Sequence, residues 1–83
     1  MNHYLFTARS VTMAQRMGQV LGQGKLPHSV QRMPVGLTTQ GCTYAVRVPE
    51  QYFDTALERL QNAGLMPVKI YSHDNNGYSE VTV

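Results

Sequence analysis

Residues forty positions apart match in kind along most of this chain. Tyr4 pairs with Tyr44, Phe6 with Val46, Ala8 with Val48, Met13 with Phe53, Met17 with Leu57, Val20 with Leu60, Gly24 with Gly64, Pro27 with Pro67 and Val30 with Ile70. A twofold repeat of this kind asks each half to build the same local structure. Two units are too few for a solenoid, so the halves must close on one shared core.

His3 to Ala8 alternates, with Tyr4, Phe6 and Ala8 on one side and Leu5 and Thr7 on the other, which predicts a first strand with a buried face. Ser10 offers a side-chain oxygen to the free amides of a helix start, and Met13, Ala14, Met17, Val20 and Leu21 follow at helical spacing. Gly18 and Gly22 weaken this helix by about 1 kcal/mol each relative to alanine, so it depends on packing and ends near Gly22 to Gly24. Pro27 bars continuation, and His28 to Met33 reads as a second strand with Val30 turned inward. In the second half Thr43 to Val48 alternates as a third strand. Pro49 and Glu50 suit the first turn of a helix whose apolar stripe is Phe53, Ala56, Leu57, Leu60 and Ala63, with Gly64 as its left-handed stop. Pro67 to Ser72 is the fourth strand, anchored by Val68 and Ile70, with Lys69 and Tyr71 on its other face.

Two strand–helix–strand units with right-handed crossovers predict an α+β fold of the ferredoxin-like, split βαβ kind. Its antiparallel sheet has the order 4-1-3-2 and both helices on one face. Past Ser72, Asn76-Gly77 is expected at the centre of a tight hairpin turn that leads Tyr78 to Val83 back as a fifth, edge strand. A chain of 83 residues then forms one domain, with a core over 3–72 and a tail over 73–83. The sheet face away from the helices carries Leu5, Thr7, Ala45, Arg47, Lys69 and Tyr71. That face is partly apolar and expected to be open, so a homodimer would bury it. A small regulatory or assembly module built on such a dimer, with the cysteine incidental, is the second functional reading.

Charge divides the chain unevenly. Arg9, Arg16, Lys25, Arg32 and Arg47 are the only charged side chains before Glu50, so residues 1–49 carry +5, whereas the remainder, with Arg59 and Lys69 against five acids, carries −3. The basic part favours anionic partners over distances of about 10 Å at ordinary salt. A net charge of +2 is weak support for phosphate-backbone contact. Tyr4 and Tyr44 share the parity of the core residues, so they are read as packing and not as base-stacking aromatics, and no nucleic acid is expected. Three scattered histidines and five methionines show no metal-ligand spacing, and Met13 and Met17 fall on a core stripe. No metal or cofactor is expected. The start lacks a basic region followed by an apolar run, and no stretch approaches the roughly 20 apolar residues that span a bilayer. With one cysteine and no intramolecular disulfide open to it, the chain is expected in a reducing cytoplasm, away from membranes.

That cysteine, Cys42, lies in the segment from Pro34 to Tyr44, at the joint between the halves. In the predicted topology the joint shares an end of the sheet with the Arg9-Ser10 turn. Helix amides and nearby arginines, Arg9, Arg32 or Arg47, then favour a thiolate. The hydroxyls of Thr38, Thr39 and Thr43 and the backbone near Gly41 are candidates to hold a sulfur or oxygen anion. Hydrolytic or transferase chemistry would need a base beside the thiol. His28 and His73 are expected at remote positions, so a non-catalytic role is favoured.

Tyr4-Leu5-Phe6-Thr7-Ala8, Ala14 in the first helix, the run Arg32-Met33-Pro34-Val35-Gly36-Leu37-Thr38-Thr39-Gln40-Gly41-Cys42-Thr43-Tyr44-Ala45-Val46-Arg47-Val48, and Ala63-Gly64-Leu65 together resemble a family of short bacterial proteins described as selenium and sulfur carrier-like. The resemblance covers residues 4 to 72, and its most specific piece is the proline-to-cysteine loop. It implies a carrier that holds a chalcogen atom as a persulfide or selenopersulfide on Cys42, exchanging it with donor and acceptor proteins. Pro34 matches the proline that opens the family's loop. Where members usually have glycine after the cysteine, this chain has Thr43, which narrows the backbone freedom there.

Overall fold

The computed structural model describes residues 2–34, 36–37 and 43–82. The elements run β1 (His3–Ala8), α1 (Val11–Gln23), β2 (Ser29–Arg32), β3 (Tyr44–Pro49), a 3-10 turn η1 (Glu50–Tyr52), α2 (Phe53–Asn62), β4 (Ile70–Asp74) and β5 (Gly77–Val81). All pairings are antiparallel, and the sheet order is β2-β3-β1-β4-β5. The α+β class is as expected, the four core strands stand in the expected order, and the hairpin strand β5 extends the edge beyond β4.

Alternation places the core. Phe6 and Ala8 of β1, Val46 and Val48 of β3 and Ile70 of β4 face Ala14, Met17 and Leu21 of α1 and Ala56 and Leu60 of α2, all buried. Tyr4 and Tyr44 pack against this cluster, and Tyr4 lies 4.2 Å from Phe53 between ring centroids, so both tyrosines serve the core. Val30 shares the parity of Val46, its register partner, yet is 39% exposed because β2 is an edge strand. The glycines of α1 have a use beyond their helix cost. A Cβ on Gly18 would stand 3.2 Å from Val30 Cγ2 and 3.4 Å from the His28 ring, so the missing side chain lets β2 and its lead-in approach the helix.

Several boundaries differ from the sequence reading, three of them for a clear local reason. Pro49 completes β3, and α2 is entered through η1. The fourth strand begins at Ile70 and not Pro67, because the buried Thr7 hydroxyl takes the Lys69 N–H at 2.8 Å and donates to the Lys69 carbonyl at 3.0 Å, while Val68 N–H goes to the Thr7 carbonyl at 3.1 Å. Two residues thus oppose one, as in a bulge. The hairpin turns on Asn75 and Asn76, not on Asn76-Gly77. Neither asparagine has positive φ, Asp74 Oδ1 accepts the Asn76 N–H at 2.8 Å, and Gly77 at φ 103 absorbs the left-handed residue.

The helix ends also break the forty-residue register. Around α1, Leu26 N–H donates to the Leu21 carbonyl at 3.0 Å and Lys25 N–H to Gly22 at 2.9 Å; around α2, Leu65 N–H donates to Leu60 at 2.9 Å and Gly64 N–H to Gln61 at 3.1 Å. Both are Schellman closures. The left-handed position falls on Lys25 (φ 58) in one half and Gly64 (φ 72) in the other, so the expected equivalence of Gly24 with Gly64 does not hold. Gly24 sits at φ −84. Ala63, expected on the core stripe, is exposed at the end of α2.

The second sheet face is not bare. Leu5 and Ala45 are fully buried and Tyr71 nearly so, with Met33 and Leu37 packed against them. Leu37 N–H closes a turn onto the Pro34 carbonyl at 3.1 Å, and Gly36 at φ 87 supplies the reversal that brings Leu37 back onto the sheet. The expectation of an open face awaiting a second copy is corrected at its centre, which the chain covers itself.

Candidate functional site

The connection between β2 and β3 leaves the sheet at the end where Ala8 of β1 stands opposite Tyr44 of β3. Arg9 and Ser10 follow Ala8 directly, so they and Thr43 lie at the same end, as the topology predicted. Thr43 is exposed, and its carbonyl accepts the Met33 N–H at 2.9 Å, which carries the β2–β3 ladder one pair beyond Arg32 and Tyr44. Ser10 caps α1: its Oγ accepts the Met13 N–H at 3.1 Å. The candidates Thr38, Thr39, Gly41 and Cys42 lie outside the described residues.

Two of the three arginines proposed to act on the thiol are at this end. Arg9 and Arg32 are exposed, and Arg32 lies 5.8 Å from the Tyr44 ring centroid, a cation–π distance. Among the described residues the one ion pair is Lys69 with Glu80 at 3.3 Å, so neither arginine is neutralised by a carboxylate there. Arg47 is different. It pairs in register with Leu5 and Ser29 and lines a cleft toward the opposite end of the sheet.

That opposite end gathers the histidines the sequence left scattered. His3 and His73 are register partners in β1 and β4, and their rings share a hydrogen bond of 3.0 Å between His3 Nε2 and His73 Nδ1. His73 in turn stacks on Tyr78 of β5, with centroids 4.1 Å apart. Burial holds the His3 imidazole below its ordinary pKa, with the charge of Arg47 and then of His73 acting in the same direction. His28 Nδ1 donates to the Leu26 carbonyl at 2.9 Å. This cluster was hidden because the predicted fourth strand stopped at Ser72, one residue short of His73; carrying that strand on would have paired the two rings. No group of three or more potential ligands suited to a metal occurs among the described residues, and no helix among them is long and apolar enough to cross a membrane.

The chain matches the family described as "Putative Se/S carrier protein-like" over residues 3–72, and it belongs to that family. The match spans both halves and the joint that holds Cys42. No curated protein and no solved structure matches it.

Proposed function

We propose that this protein is a sulfur or selenium carrier whose Cys42 holds the cargo atom. The observation that carries the reading is the family match across residues 3–72, which takes in the chain's one cysteine. The exposed Arg9 and Arg32, with no carboxylate partner among the described residues, stand at the end of the sheet from which the cysteine segment departs and support it, since positive potential favours a thiolate and a terminal persulfide anion. In the transfer, the Cys42 thiolate attacks the outer sulfur of a donor protein's persulfide. The donor's S–S bond breaks, its cysteine leaves as a thiolate, and Cys42 becomes the persulfide; an acceptor thiolate repeats the exchange in turn. The redox state of the cargo sulfur is conserved, so no cofactor is required. Selenium passes by the same displacement.

Arg9, Ser10, Thr38, Thr39, Gly41 and Thr43 are the proposed surroundings of the persulfide. In the same reading residues 1–83 form one domain of the ferredoxin-like type, extended by β5, and a reducing compartment keeps Cys42 free. The test is incubation with a cysteine desulfurase and radiolabelled cysteine. Label is expected on the native protein and absent from Cys42→Ser. No label above background on the native protein would overturn the carrier reading.

A further inference from the structure

A cleft of about 250 Å³ opens at the sheet end remote from Ala8 and Tyr44, between the apolar walls Pro27 and Pro49, and His3, His28, Ser29 and Arg47 line it. Six residues of β1 separate the His3 end from the Ala8 end, a span of about 17 Å at the usual strand rise. The cleft is therefore distinct from the end where Arg9, Ser10 and Thr43 lie.

His3 is 8% exposed, and its Nδ1 is buried without a hydrogen-bond partner among the described residues. A buried polar atom without a partner is unfavourable, so it marks a place where a partner is missing. Only one proton lies between His3 Nε2 and His73 Nδ1. That bond occupies Nε2, so Nδ1 is the ring nitrogen left without a partner, and both nitrogens of His3 carry a proton when the imidazole is charged. Arg47 provides the second half of the argument. Its guanidinium is exposed, lines the same cleft, and has no carboxylate partner among the described residues. An oxyanion in the cleft takes a forked contact from Arg47, with the Ser29 hydroxyl as a further donor, and its charge favours the protonated form of His3 in the cleft wall.

We propose that this cleft binds a small oxyanion of the phosphate type, held between Arg47 and His3. Other ionisable groups bear on it. His73 from β4 and Tyr78 from β5 lie behind His3, and His28 lines the cleft with its Nδ1 held by the Leu26 carbonyl. Glu50 at the start of η1 is the acid at this end, and its side chain is exposed, while Asp74 is engaged with the Asn76 N–H. Bound anion stabilises protonated His3 and so opposes the burial and the Arg47 charge that lower its pKa.

The His3 ring resonances followed against pH, in phosphate and in chloride of equal ionic strength, test the proposal. Phosphate is expected to raise the His3 midpoint by about half a unit or more. Arg47→Gln, an exposed change that leaves the fold intact, is expected to remove the difference, whereas Cys42→Ser should retain it and so keeps this test independent of the carrier reading. Identical midpoints in the two salts, or an Arg47→Gln protein that responds as the native one does, would overturn it.

Discussion

The segments that follow β2 and β4 occupy equivalent places in the two halves and do different things. After β4 the chain turns at once on Asn75-Asn76 and returns as β5. After β2, Pro34, Gly36 and Leu37 fold back over the sheet, where Leu37 joins Met33 on Leu5, Ala45 and Tyr71. Met33 and His73, forty residues apart, both mark the departure: one packs on an apolar floor, and the other is hydrogen-bonded to buried His3. A duplicated frame thus supports two unlike ends, one given to the thiol segment and one to a basic, histidine-lined cleft. Both proposed sites lie where the halves diverge, on either end of the shared strands and helices.

The sharpest way to break this comparison is at the floor under Leu37. Leu5 is fully buried although it faces away from both helices, so Leu5→Ala should cost about 2–5 kcal/mol, as in a helix-facing core. Leu37→Ala, at a partly buried position, should cost less. Chemical denaturation measures both. If Leu5→Ala is nearly neutral, residues 33–37 do not cover the sheet in solution.

A smaller effect separates the helix ends. Gly64→Ala places a side chain at φ 72 and should cost about 1–2 kcal/mol, whereas Lys25→Gly relieves φ 58 and should gain up to about 1 kcal/mol. Opposite signs in thermal melts would establish that the left-handed position shifts by one residue between the halves. Equal signs would restore the plain forty-residue register.

The smallest effect is pH-dependent. The folded His3 pKa is lowered below its unfolded value, so the unfolded chain binds more protons as pH falls. His3's contribution to stability is therefore full above about pH 6.5 and declines as pH drops through the unfolded and then the folded pKa. Melts in phosphate-free buffer should show this slope, and His3→Gln should flatten it.

Local periodicity made β1, both helices, the Ser10 cap and the Gly64 stop legible in the sequence, because each depends on neighbours within a turn or a strand. Long-range choices were not legible. The Thr7 hydroxyl that displaces the start of β4 acts across 62 residues, and the same shift concealed His73 opposite His3. Leu37 on the far sheet face follows from a turn at Gly36, which no alternation pattern announces. Of the site, the place of Arg9, Ser10 and Thr43 was readable from topology, whereas residue type alone did not tell that Arg47 lines the cleft at the His3 end.

The central claim concerns the cargo on Cys42, and intact-mass analysis of the protein isolated from cells under thiol-trapping conditions tests it most directly. The carrier account predicts a population bearing one additional sulfur or selenium atom, located to the Cys42 peptide and released by reductant. A protein isolated wholly unmodified, with a thiol that traps slowly, would contradict it.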